Sequence, residues 1–207
     1  MEKPYGVAVI INIEHFEEEF KFSKRKGSHR DVANLVRLWG DFDFRVKMDA
    51  DSTTANEIYI FLRQVASEIN TNSSCFVCCI MTHGDMGEIY GSDGKPLDIK
   101  FITNLFKEDM CPALVGKPKL FFIQACRRSN KLRDHAKPEV KNEQGSKVAA
   151  AGSPKAVDSV AAASDADYER KFLKRANPNE INFLIGYSTV PGYVSYRDVD
   201  YGSWYTG

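Results

Sequence analysis

Two side chains at the ends of apolar runs carry the most distinctive chemistry in this sequence. Cys126 closes the stretch Lys119-Leu-Phe-Phe-Ile-Gln-Ala-Cys, and His83 follows the run Cys75 to Met81 with one threonine between. A thiol with an ordinary pKa of about 8.5 is mostly protonated at neutral pH, so it needs a base or a positive neighbour to act as a nucleophile. An imidazole, titrating at about 6.5, can take the thiol proton and return it to a leaving group. Gly84, directly after the histidine, leaves a backbone N–H open to a substrate oxygen. Together with the N–H of Cys126 it would form an oxyanion hole. A lone cysteine is more often a small buried hydrophobe, so Cys126 gains weight only from its partner.

The elements that must position this pair follow from the hydrophobic pattern. Leu120 to Ile123 reads as a strand buried on both faces, and the polar run Arg127 to Lys131 cannot continue it. Val7 to Ile11 predicts a first buried strand. Ser28 is placed to cap a helix over about 29–39, with Val32, Leu35, Val36 and Trp39 inward and Gly40 as its stop. Phe42, Phe44, Val46 and Met48 alternate with charged residues, as on a half-buried edge strand. Thr53 or Thr54 opens a helix with Ile58, Phe61, Leu62, Val65 and Ile69 along one stripe. Cys75 to Met81 is the third strand; a hairpin follows over 89–96, and Asp98 caps a helix burying Ile99, Ile102, Leu105 and Phe106. A last strand is expected at 181–186. Strands alternating with helices predict an α/β fold with a mostly parallel sheet, which places ligands at the carboxyl ends of its strands.

Composition narrows the classes. The chain has 207 residues, 43% hydrophobic and 27% charged, the profile of a soluble globular protein. Lys plus Arg equals Asp plus Glu at 28 each, so no global field favours nucleic acid or an anionic membrane. The five cysteines lack the spacing of a disulfide scaffold. With no leader-like opening, a reducing cytoplasmic compartment is expected. Cys75-x-x-Cys78 has no second ligand pair, and no metal or cofactor is expected.

The run from Arg127 to Asp167 contains no aromatic residue and is rich in Ala, Ser, Lys and Asp. Such a segment cannot bury enough surface to order itself, and inside a compact domain it reads as a functional loop or a linker meant to be cut. The division expected is a large segment over 1–128, a processing linker over 129–167 and a small segment over 168–207. Asp158-Ser159 and Asp165-Ala166 are aspartates followed by small residues within it.

Taken together, Gln124-Ala125-Cys126-Arg127 and the upstream His83-Gly84 resemble the caspases, cysteine proteases that cleave after aspartate. The resemblance extends to Ile10 to Phe16, to Arg25-Lys26-Gly27-Ser28-His29-Arg30-Asp31, to Tyr187 through Arg197, and to Gly202-Ser203-Trp204-Tyr205. It implies a three-layer sandwich with helices on both faces of the sheet. It implies Cys126 as nucleophile, His83 as acid/base, and Gly84 with Cys126 as oxyanion donors. Arg25, Gln124 and Arg197 would line a pocket for the substrate aspartate, which guanidinium groups suit by bidentate, charge-assisted bonding. Ser195 would bond an extended substrate through its backbone, and Tyr196 with Val194 would wall the adjoining pocket. Asp158 and Asp165 would be activation sites. The partners implied are protein substrates with exposed aspartate-containing loops, another caspase chain, and inhibitor proteins, with no nucleic acid or membrane.

The sequence departs from the family pattern at three places, one of them mild: Thr82 replaces the serine often found before His-Gly. Arg128 stands where glycine is usual after Gln-Ala-Cys-Arg, and the family continues beyond the point where this sequence stops, Gly207, with a further strand that forms its dimer interface. A chain truncated there is expected to leave 181–186 as an apolar edge. Two readings therefore stand: an aspartate-directed endopeptidase or its precursor, and a non-catalytic homologue that pairs with another caspase and modulates it.

Overall fold

The computed structural model describes residues 4–20, 22–49, 54–127 and 181–206. Four crossovers place β1 (Gly6–Asn12), β2 (Phe44–Met48), β3 (Cys75–Met81), β7 (Lys119–Gln124) and β8 (Phe183–Tyr187) in one sheet of order β2-β1-β3-β7-β8. Every pairing in it is parallel. The two central apolar runs, β1 and β3, are buried almost throughout, as strands covered on both faces must be.

Helices cover both faces, so the three layers expected are present. On one face, α1 (Ser28–Asp41) sets Leu35 against Ala8, Ile10, Val77 and Cys79. On the other, α2 (Ala55–Glu68) and α3 (Ile99–Asn104) pack Ile58, Leu62, Val65 and Ile102 onto Val9, Ile11, Phe76, Cys78, Phe121 and Ile123. Adjacent cysteines 78 and 79 thus face opposite layers, and Cys75 packs with Cys79. Thr54 caps α2 through a full capping box with Glu57, and Asp98 caps α3 through Lys100 N–H at 2.6 Å. A small antiparallel sheet of β4 (Gly84–Asp85), β5 (Glu88–Tyr90) and β6 (Pro96–Asp98) follows β3, and β9 (Arg197–Asp198) pairs with β10 (Gly202–Ser203).

Several local expectations are corrected. Gly27, not Ser28, is the N-cap of α1, at φ 86. A β-carbon there would lie 2.6 Å from the Val199 carbonyl oxygen, so glycine is demanded by a contact from the far end of the chain. Ser28 lies within the helix, where its hydroxyl accepts from Asn12 Nδ2 at 3.1 Å. Gly40 does not stop α1, which runs to Asp41, and Val36 is exposed. Asp43 takes a left-handed φ of 56 and breaks the alternation between Phe42 and Phe44, so Phe42 lies outside β2 and exposed. The last strand is Phe183–Tyr187, shifted from the expected range because Asn182 turns at φ 67. The expected linker, Arg128, Asp158 and Asp165 lie outside the described residues.

Candidate active site

Met81 and Gln124 face each other as the last registered pair of β3 and β7. Thr82 N–H then donates to the Gln124 carbonyl at 3.1 Å, carrying the ladder one step further. His83 and Cys126 each lie two residues beyond that rung, at the carboxyl ends of adjacent parallel strands. The sequence separation between them is closed by strand register alone.

Three described contacts bear on the imidazole. Phe16 and Phe22 flank it, with ring centroids at 4.7 and 5.2 Å, and the Phe22 ring stacks nearly parallel to it. Nε2 lies 2.7 Å from the Ser23 carbonyl oxygen. A carbonyl only accepts, so Nε2 carries a hydrogen at this contact, and Nδ1 is the ring nitrogen on the other side of the imidazole. Ser23 acts through its main chain, so no side-chain type signalled it in the sequence. Nothing in the sequence pattern marks Phe16 and Phe22 as a housing for His83.

Gly84 belongs to the turn of chain that faces Cys126. Tyr90 N–H donates to the His83 carbonyl at 2.9 Å, which makes that pair a hydrogen-bonded one and Gly84–Ile89 the non-bonded pair after it. The Gly84 N–H therefore points out of the β4–β5 ladder. A β-carbon on Gly84 would meet Ala125 Cβ at 2.9 Å and the Cys126 carbonyl oxygen at 3.1 Å. The cysteine is partly exposed.

The guanidinium groups gather beside the thiol. Arg25 is 1% exposed. Its Nη1 donates to Asn12 Oδ1, the Ile13 carbonyl and the Met81 carbonyl at 2.9–3.0 Å, and Nη2 donates to Gln124 Oε1. Gln124 passes the chain on, Nε2 donating to Ser195 Oγ at 3.1 Å. Arg197 is half-buried, and its Nε donates to the Lys26 carbonyl at 2.9 Å. Burial pulls the Arg25 guanidinium down to about 9; Arg197 pushes the same way, while Asp31, Cys126 and Glu14 pull it back up. At about 9 it still carries its charge at neutral pH. Burial likewise lowers Arg197, against Asp31, Glu14 and Cys126.

Val194, Ser195 and Tyr196 border a cleft of about 290 Å³ together with Val190, Tyr193 and Trp204. Tyr196 and Trp204 are among the most exposed aromatic side chains described. Arg127 joins the cleft wall to the cysteine. Its N–H donates to the Tyr193 carbonyl at 3.0 Å, its carbonyl accepts from Gly192 at 2.8 Å, and its guanidinium lies 3.9 Å over the Tyr187 ring. Of the expected site residues, all but Asp158 and Asp165 fall in the described structure and converge on this one end of the sheet. Among the described residues no cluster suits a metal ion, and no helix is long and apolar enough to cross a membrane.

The parallel α/β sheet thus sets a cysteine and a histidine on neighbouring strand ends, and the family is shown by comparison. The family model described as the caspase domain matches residues 5–207, and the chain belongs to that family. It is 36% identical to caspase-7 of Gallus gallus over 98% of this chain and 58% of that protein. Caspase-8 of Mus musculus is 35% identical over 98% of this chain and 40% of its own length. Caspase-3 of Oryctolagus cuniculus is 34% identical over 97% and 62%. The chain thus spans about half the length of the curated relatives it matches.

Proposed function

We propose that this chain is an aspartate-directed cysteine endopeptidase, made as a precursor and activated by cleavage at Asp158 or Asp165 between a large segment (1–128) and a small one (168–207). The observation that carries the reading is that His83 and Cys126 each lie two residues past the last registered pair of β3 and β7, Met81 and Gln124, with the guanidiniums of Arg25 and Arg197 alongside.

The chemistry follows from the groups present. Nδ1 of His83 takes the thiol proton, and the Cys126 sulfur attacks the carbonyl carbon after the substrate aspartate. The carbonyl oxygen becomes an oxyanion held by the N–H groups of Gly84 and Cys126. Collapse breaks the C–N bond, and the imidazolium returns its proton to the departing amine. Water, deprotonated by the same imidazole, then releases the acyl group and restores the thiol. Arg25, Gln124 and Arg197 bind the aspartate carboxylate, and Val194 with Tyr196 walls the next pocket. Protein substrates with exposed aspartate loops, a second caspase chain and inhibitor proteins are the partners, in cytoplasmic apoptotic or related signalling.

Among the described residues β8 is the last strand in the sheet order, and Leu184 on it is exposed. That edge favours a second reading, in which the chain pairs with another caspase and modulates it. Matched peptides carrying aspartate or asparagine, with Cys126→Ala as control, separate the two. Aspartate-dependent turnover lost in the variant supports the peptidase; no turnover alongside association with another caspase supports the modulator.

A further inference from the structure

Asp31 is fully buried in the first turn of α1, yet no part of the proposed chemistry uses it. Its Oδ1 accepts the Ser203 N–H at 2.7 Å, across 172 residues of sequence. Gly202, at φ 90, comes so close that a β-carbon there would lie 2.4 Å from the same oxygen. Ser203 is the registered partner of Arg197 in the β9–β10 hairpin. The carboxylate thus grips the strand directly behind the arginine.

Two neighbouring contacts act on the same hairpin. The Lys26 carbonyl accepts from Arg197 Nε, and Gly27 packs against the carbonyls of Asp198 and Val199. Lys26, Gly27 and Asp31 therefore touch the β9–β10 hairpin at three points. We propose that Asp31 is a positioning residue for the aspartate pocket, fixing the hairpin that presents Arg197 while placing a negative charge near both guanidiniums.

Its second oxygen, Oδ2, is buried with no hydrogen-bond partner among the described residues. A carboxylate kept only for fold stability is normally fully bonded when buried. One kept for its charge need not be, and Asp31 favours the charged form of Arg25 and of Arg197 alike. Without it the two cations would face each other across the pocket before any substrate carboxylate arrived.

The inference rests on the aspartate-pocket reading, so its test has an arm that needs no turnover. Hydrogen exchange at the Ser203 amide and steady-state kinetics on an aspartate peptide are measured for Asp31→Ala and Asp31→Asn in the full chain. In Asp31→Ala the Ser203 amide is expected to exchange about 100-fold faster, and KM to rise roughly tenfold with kcat within about threefold. Asp31→Asn keeps an acceptor for Ser203, so amide protection is retained and KM rises only a few-fold. It also carries the test if the alanine variant fails to fold. Unchanged Ser203 exchange in Asp31→Ala, or a fall in kcat at constant KM in either variant, overturns the proposal. If the unmodified chain treats aspartate and asparagine peptides alike, the pocket reading fails, whatever the exchange arm reads for the anchor.

Discussion

A β-carbon added to Gly84 would sit 3.1 Å from the carbonyl oxygen of Cys126 and 2.8 Å from that of Glu88. Both obstacles are main chain, so neither can swing aside. Gly84→Ala is expected to cost about 1–3 kcal/mol of stability and to lower kcat about 100-fold by displacing an oxyanion donor. Urea denaturation and peptide hydrolysis measure the two effects separately; a variant as active as the parent would remove Gly84 from the site.

Cys126 is the partly exposed thiol beside the cationic cluster, whereas burial pushes the Cys79 thiol up to about 12 and Cys78 well above its ordinary value. A brief treatment with iodoacetamide at neutral pH should modify Cys126 first and leave Cys78 and Cys79 intact. Peptide mass mapping reads the order. Early loss of Cys78 would mean that the central strands open readily.

The same burial sets an alkaline limit. A thiol held neutral in the fold gives its full stabilisation below the unfolded-state value. That contribution drains away as pH climbs from about 9 towards about 12, where the unfolded chain ionises and the folded one does not. The denaturation midpoint should fall across this window, and Cys79→Ala should make the fall shallower. A midpoint independent of pH would contradict the burial of β3.

Arg25 and Arg197 should respond differently to replacement. Arg25→Ala strips a donor from the side chains of Asn12 and Gln124 and from two carbonyls, and is expected to cost about 2–4 kcal/mol. Arg197, half-buried and with one described bond, tolerates Arg197→Glu within about 1 kcal/mol. That change should abolish preference for aspartate peptides over asparagine ones. Unchanged selectivity would refute its place in the pocket.

Legibility in the sequence followed the range of the forces involved. β3 and β7 announced themselves because a strand covered on both faces must be apolar at every position, and their ends therefore placed His83 and Cys126. The helix start at Thr53 or Thr54 and the cap at Asp98 were readable because such caps act over three residues or fewer. Gly27 was not, since the carbonyls that forbid a side chain there come from residues 198 and 199. Nor was the orientation of His83, fixed by a main-chain oxygen that any residue at position 23 would supply. Arg25 was anticipated as a pocket group, but its bonds to Asn12, Ile13 and Met81 make it equally a brace between β1 and β3. Lys119, at the start of β7, is fully buried, with Nζ on the Leu114 carbonyl at 3.1 Å five residues back and over the Phe183 ring, an arrangement that distant chain completes.

Arg127 exchanges main-chain bonds in both directions with Gly192 and Tyr193, one residue from the sulfur and at the rim of the cleft. Cys126 and the cleft wall are therefore joined through one residue. Under the proposed peptidase reading, a peptide pressing Tyr193 and Val194 outward would shift the thiol with them, so a poorly fitting sequence would be penalised in the rate of bond breaking as well as in how long it stays.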